Sequence, residues 1–90
     1  MSRPQAADLE TALRQALQPQ QLAVSDDSHL HAGHPGAAEG SHFSVQVVSA
    51  RFEGLSRVAR HRLVYDSLHA LIGRDGIHAL AIDARAPGET

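Results

Sequence analysis

The stretch from Gly40 to Leu68 constrains the fold more than any other part of the chain. It opens as FSVQV (43–47), where apolar and polar residues alternate with the period of two of a strand that buries one face. The Phe52-Glu53-Gly54 turn ends this alternation, because Gly54 can adopt the positive φ of a tight turn. Apolar residues then recur every three or four positions, which predicts an amphipathic helix. A strand, a turn and a helix therefore follow one another without a linker.

The rest of the chain adds one helix and two strands to this centre. The first helix carries an apolar stripe at helical spacing and ends before Pro19. The predicted elements in chain order are a helix over 4–18, a strand over 22–26, a strand over 42–49, a helical segment over 56–72 in one or two pieces, and a strand over 77–82. This order predicts an α+β fold in which helices cover one face of a three-stranded mixed sheet.

Length and composition limit the class of protein. Ninety residues fit a single domain over 1–90, in which we expect 1–3 and 86–90 to be frayed and 27–41 to form a flexible loop. The formal net charge is -2 and all eight basic residues are Arg, which does not favour a general nucleic-acid binder. No run of residues resembles a signal peptide or is long enough to span a membrane, so we predict a cytoplasmic protein without membrane association.

Histidine is the residue type that stands out, with seven copies in the chain. His29, His31 and His34 fall within the Gly-rich loop, where they could approach one metal ion or simply face solvent. His78 lies in the last strand, on the face that we assign to Leu80 and Ile82. It is either a histidine at the rim of the core or a metal ligand, and the second possibility requires another ligand nearby.

A further histidine and several arginines lie around the second helix. His61 shares a helical face with Val58, Val64 or Tyr65, and Leu68, which predicts an inward-pointing, structural side chain. Four arginines form a local basic cluster that could meet phosphates, an acidic partner or only solvent. The cluster comprises Arg51, Arg57, Arg60 and Arg62.

The sequence gives no support for catalysis. None of the serines lies in a recognisable nucleophile motif, and the glycines match neither common phosphate-binding loop. Paired carboxylates are not evident. With no cysteine, the chain also cannot form a disulfide or a thiolate metal site by itself. We therefore predict that this chain is not an enzyme.

Two linked motifs resemble the BolA family. They are HFSVQVVSARFEGLSRVARHRLVY (42–65) and GIHALAI (76–82), and residues 26–28 and 31–34 are also similar to the start of that family's variable loop. The resemblance implies an αββααβ fold similar to a class II KH domain. It also implies partnership with monothiol glutaredoxins. For the chain in isolation we expect a monomer or weak homodimer.

The cofactor implied by this resemblance is a [2Fe-2S] cluster bridged between the two proteins. The glutaredoxin and glutathione would supply thiolates, and this chain would supply His78 and a loop histidine, which by position is His31, with His34 and His29 as alternates. A chain without cysteine cannot hold such a cluster alone, but imidazoles can complete a mixed site.

A second function is also implied by the resemblance, because the family is described as containing transcriptional regulators. The helix-turn-helix-like segment would then contact DNA through Arg57, Arg60 and Arg62. The acidic net charge and the lack of lysine make this the weaker hypothesis.

Overall fold

The computed structural model describes residues 4–27, 41–72 and 77–89. Its elements in chain order are α1 (Ala6–Leu17), β1 (Gln21–Asp26), β2 (Ser41–Val48), a 3-10 turn (Ala50–Phe52), α2 (Arg57–Ser67), a second 3-10 turn (His69–Leu71) and β3 (Ile77–Arg85). The strand order is β1-β2-β3, with β1 antiparallel and β3 parallel to β2. The predicted α+β fold with a three-stranded mixed sheet is confirmed.

The core lies between the helices and one face of the sheet. The stripe predicted for α1 is buried at Leu9, Leu13 and Leu17, and it joins one apolar cluster with the inward residues of β2 and α2. The carboxylate of Asp8 accepts a hydrogen bond from the backbone N–H of Gln5 at 2.7 Å, which fixes the first turn of the helix. The helix ends at Gln18, which adopts a left-handed conformation with φ of 46° immediately before Pro19.

A buried serine fastens the end of α1 to the end of β2. The hydroxyl of Ser49 donates to the backbone oxygen of Leu17 at 2.7 Å and accepts from the backbone N–H of Arg51 at 3.2 Å. The chain then passes through the 3-10 turn to Gly54, whose φ of 76° is the positive value that the sequence predicts. Ser56 caps α2 by accepting from the backbone N–H of Ala59.

The buried face of α2 differs from the prediction. Val58 is 61% exposed, whereas Val64 and Leu68 are fully buried and His61 is half-buried. Arg60 occupies the inward position one turn before Val64, because its guanidinium donates hydrogen bonds to acceptors at the edge of the sheet. The prediction of an inward face through Val58 was therefore wrong.

The start of β3 contains an irregularity that the sequence does not reveal. Ser41 pairs with Ile77, but His42 pairs with Ala79, so the backbone of His78 is an extra residue between two successive pairs. Ile77 is buried, although its alternation with Leu80 would place it on the opposite face. Our assignment of Ile77 to the other face was thus wrong, since the shift in register interrupts the period of two.

Residues 86–89, which we predicted to be frayed, pack against the domain. Ala86 is buried, and the carboxylate of Glu89 binds the guanidinium of Arg60. Among the helices of the described residues, none is long and apolar enough to cross a membrane.

Candidate functional site

Asp27 and Ser41, which flank residues 28–40, lie at the end of the sheet where β3 begins, and the flexible loop predicted between them lies outside the described residues. Because β2 and β3 are parallel, both start at the same end of the sheet, and antiparallel β1 finishes there. We term this the His78 end, defined by the end of β1 at Asp26 and the starts of β2 and β3. The described chain ends after β1 at Asp27 and resumes at Ser41, which pairs with Ile77. The predicted ligands His29, His31 and His34 lie outside the described residues.

The backbone of His78 forms the bulge described above, at the start of an edge strand. Bulges are frequent next to functional sites because they break the pleat and re-aim a side chain. The feature could not be read from IHALAI (77–82), whose alternation is uninterrupted in the sequence. The bulge distinguishes His78 from the other residues of β3.

Asp27 fixes the point at which the loop leaves the sheet. Its backbone N–H donates to the oxygen of His42 at 2.7 Å, and its carboxylate accepts hydrogen bonds from the hydroxyls of Ser25 (2.8 Å) and Ser44. We did not single out Asp27 or His42 from the sequence, although an aspartate at a strand end is a common turn former. Together with Ala79 they line a shallow concavity of about 260 Å³ at the His78 end.

The described residues alone do not form a metal centre. No group of three or more His, Asp or Glu residues within 4–27, 41–72 and 77–89 is arranged to hold an ion. Any metal site at the His78 end would therefore need donors from the loop or from another molecule.

The predicted arginine cluster does not form a single surface. Arg51, Arg57 and Arg62 are exposed, but the side chain of Arg60 is only 15% exposed. Its Nε donates to the oxygen of Leu55 at 3.0 Å and its Nη1 to the oxygen of Ala84 at 3.2 Å. Nη1 and Nη2 also bind the carboxylate of Glu89, at 2.5 and 2.9 Å. Within this fold Arg60 therefore links α2 to β3 and to Glu89.

The Arg60–Glu89 pair predicts a specific response to acid. Hydrogen bonds from Arg60 lower the pKa of Glu89 from 4.5 to about 2. A lowered folded-state pKa contributes stability that is present above pH 4.5 and is lost as the pH falls towards 2. We expect Glu89→Gln to be less stable than the wild type near neutral pH, with the difference shrinking across this window in urea unfolding curves. A difference that stays constant down to pH 2 would show that the carboxylate charge contributes nothing.

An apolar stripe lies on the outer side of α2 and continues past its end. Val58, Tyr65 and Ile72 are 61%, 42% and 37% exposed. The spacing of seven places Val58 and Tyr65 along one side of α2, and Ile72 follows the second 3-10 turn beyond the end of the helix. Arg62 is exposed between Val58 and Tyr65. We term these four residues the α2 stripe. Ile72 forms a parallel bridge with Ile77, so the stripe ends at the His78 end of the sheet.

Comparisons with known proteins agree with this fold. The family model for BolA-like protein matches residues 13–89. The chain is 46% identical over 86 residues to human BolA-like protein 1, covering 96% of this chain and 61% of that protein. It is 44% identical over 84 residues to a Sinorhizobium sp. protein described as an uncharacterized protein in the cobS 5' region, covering 90% of this chain and 89% of that one.

Solved structures give the same result. BolA1 from Arabidopsis thaliana superposes with a TM-score of 0.81 at 38% identity, covering 97% of this chain and 96% of that one. The BolA domain of SufE1 from Arabidopsis thaliana gives 0.81 at 41% identity, with 94% of both chains covered. The chain spans about three fifths of the length of the mammalian relatives that it matches. The sequence match and the shared fold show that this chain belongs to the BolA-like protein family.

Proposed function

We propose that this chain is a non-enzymatic adaptor that binds a [2Fe-2S] cluster jointly with a monothiol glutaredoxin and glutathione. Its role would be in iron–sulfur cluster trafficking or iron regulation. The observation that supports this most is the His78 end, where a bulge at His78 lies beside both ends of a loop that contains three histidines. A BolA-like chain without cysteine would use imidazoles there and take its thiolates from the partner.

The donor set fits a shared cluster and not one held by this chain alone. Iron–sulfur clusters are normally bound by four thiolates, and this chain has none. Two imidazoles can replace two thiolates on one iron, which raises the reduction potential of such a cluster. His78 and His31 are the proposed ligands, with His34 and His29 as alternates for the loop position.

The length of the loop allows this pairing. His31 follows the anchored Asp27 by four residues, which can span up to about 14 Å when extended. β1 and β3 flank β2, so their axes are about 10 Å apart. A side chain at position 31 can therefore reach the start of β3.

The α2 stripe is the proposed contact surface for the glutaredoxin. A partner that covers the His78 end would lie next to Ile72, because Ile72 is bridged to Ile77. Exposed aromatic and arginine side chains are the types enriched at protein interfaces, and Tyr65 and Arg62 are of these types.

DNA binding is not favoured by the structure. Arg60 uses its donors within the domain, which leaves Arg51, Arg57 and Arg62 in a chain of net charge -2. The cytoplasmic location stays a prediction, since one relative, BOLA1 of Arabidopsis thaliana, is named chloroplastic.

The proposal is tested by mixing the purified chain with a cluster-loaded monothiol glutaredoxin and glutathione without oxygen. We expect a coloured one-to-one complex on gel filtration and a visible circular dichroism spectrum that differs from that of the glutaredoxin alone. The matched control is the same mixture with iron-free glutaredoxin, which separates cluster-dependent binding from plain protein–protein contact. Separate elution with an unchanged spectrum would rule out the shared cluster.

A further inference from the structure

A groove separates the first turns of α2 from the outer edge of β3. We term it the α2–β3 groove; its volume is about 670 Å³, and its lining includes Leu55, Arg57, His61, Ile82, Ala84 and Glu89. It lies towards the end of β3, whereas His78 lies at the start of that strand. The groove is therefore separate from the proposed cluster site.

The floor of the groove is the outer edge of β3, where the backbone oxygen of Ala84 already accepts a hydrogen bond from Arg60 and the backbone groups of Leu80 and Ile82 remain for a further strand. Arg85 faces β2, because its backbone oxygen accepts from the N–H of Ser49 at 2.9 Å. Alternate residues of a strand direct their backbone groups to opposite sides, so those of Leu80, Ile82 and Ala84 point away from β2. Within the described part of the chain no strand lies beyond β3. Such an edge can accept one more strand.

The groove already binds one carboxylate, which comes from the chain itself. The guanidinium of Arg60 is held by the backbone oxygens of Leu55 and Ala84, and it presents both Nη groups to Glu89. This bidentate arrangement suits a carboxylate or a phosphate, and here it holds a carboxylate. Glu89 is half-exposed and follows Gly88, whose φ is 88°. An incoming carboxylate could take its place on Arg60, at the cost of the hydrogen bond that Glu89 accepts from the backbone N–H of Ala86 at 3.0 Å.

The charges around the groove decide what would fill it. Arg57 is exposed at its rim, and the carboxylate of Asp83 is bound to Arg85 in the same strand. If the β3 edge of a second copy of this chain filled the groove, the only carboxylate on that edge would be that of Asp83, which is already bound to Arg85. Asp83 and Arg85 also line the groove and bind each other, so once Glu89 is displaced the remaining charges are those of Arg57 and Arg60, which match an acidic chain.

We propose that the α2–β3 groove binds an extended acidic segment of a partner protein. The segment adds as a strand to the outer edge of β3 through main-chain hydrogen bonds. One of its carboxylates displaces Glu89 from Arg60, and another meets Arg57. Glu89 then acts as a built-in competitor that lowers the affinity for weakly acidic segments.

The test uses two fluorescein-labelled ten-residue peptides, one alternating Thr with Glu and the other alternating Thr with Lys. We expect a saturable rise in fluorescence polarisation with the acidic peptide only. In amide hydrogen exchange followed by NMR, that peptide should slow exchange at Leu80, Ile82 and Ala84. Ala81 and Asp83 should not change, because their N–H groups already bond to β2.

Two variants and a matched control separate strand addition from simple charge attraction. Glu89→Gln should bind the acidic peptide about two- to fivefold more tightly, and Arg57→Ala should bind it more weakly by a similar factor. Asp66→Asn makes the same change in net charge as Glu89→Gln on an exposed part of α2 outside the groove, so its affinity should stay at the wild-type value.

Several results would overturn the proposal. Equal affinity for both peptides, or protection spread evenly along β3, would exclude a specific strand site. An unchanged affinity for Glu89→Gln would exclude the displacement of Glu89. Protection of the three edge amides that appears without peptide and rises with protein concentration would assign the edge to a second copy of the chain. None of these measurements requires iron or glutaredoxin, so they are independent of the proposed function.

Discussion

Replacing His78 with alanine is expected to abolish the cluster-dependent circular dichroism of the mixture with glutaredoxin while leaving the domain folded. The loss of an imidazole leaves one iron without a ligand that this chain, which lacks cysteine, cannot replace. Mutation of a residue that only orients a metal ligand lowers metal affinity 10–100-fold. Removal of a direct ligand should therefore weaken cluster binding by at least about 100-fold. The measurement is a titration of cluster-loaded glutaredoxin with the variant, followed by visible circular dichroism.

Two further variants make this result specific. His61→Ala is the matched control, because His61 lines the α2–β3 groove and not the His78 end, and we expect a wild-type spectrum. His78→Cys should restore binding with an altered spectrum, since thiolate is the usual ligand of such clusters. A wild-type spectrum from folded His78→Ala would remove His78 from the ligand set.

The loop position is resolved by the same titration. His31→Ala is expected to behave like His78→Ala, whereas His34→Ala and His29→Ala should retain the spectrum. If His34→Ala or His29→Ala abolishes the signal instead, that histidine is the ligand and the assignment of the loop ligand to His31 is wrong.

The elements were predictable where local periodicity reports burial. The alternation of β2 and the helical stripe of α1 each bury one face, so their sequence pattern and their exposure coincide. The inward face of α2 was not predictable, because an arginine fills one of its positions. The acceptors of Arg60 at Ala84 and Glu89 are 24 and 29 residues away in the sequence, and local pattern carries no information about them.

The sequence suggests which residues the proposed site would use, but it does not show how they are arranged. The sequence identifies His78 and a histidine-containing loop, yet whether they approach each other depends on strand direction. Parallel pairing of β3 with β2 brings the start of β3 to the end of the sheet where the loop is attached. The bulge at His78 depends on pairing between two distant strands, so the uninterrupted alternation of 77–82 gave no sign of it.

Phe52→Ala is expected to have the largest effect on stability of any prediction made for this chain. Phe52 is fully buried in the 3-10 turn between β2 and α2 and belongs to the core cluster. Truncating a buried Phe to Ala costs about 3–5 kcal/mol through lost transfer free energy and the cavity left behind. A domain of 90 residues is stable by only about 5–13 kcal/mol, so this is a large fraction of the total.

The matched control for Phe52→Ala is Tyr65→Ala, which removes the exposed aromatic side chain of the α2 stripe. Its free energy of unfolding in urea should stay within about 0.5 kcal/mol of the wild type, although its affinity for glutaredoxin should fall. Phe52→Ala should unfold at a lower urea concentration than the wild type, and its far-ultraviolet circular dichroism and cluster binding should be lost together there, because the turn that orients α2 is less well supported. Equal stability of the two variants would show that the turn packs loosely. The expected contrast would establish that the aromatic residue of the Phe52-Glu53-Gly54 turn maintains the fold, whereas binding depends on side chains outside that turn.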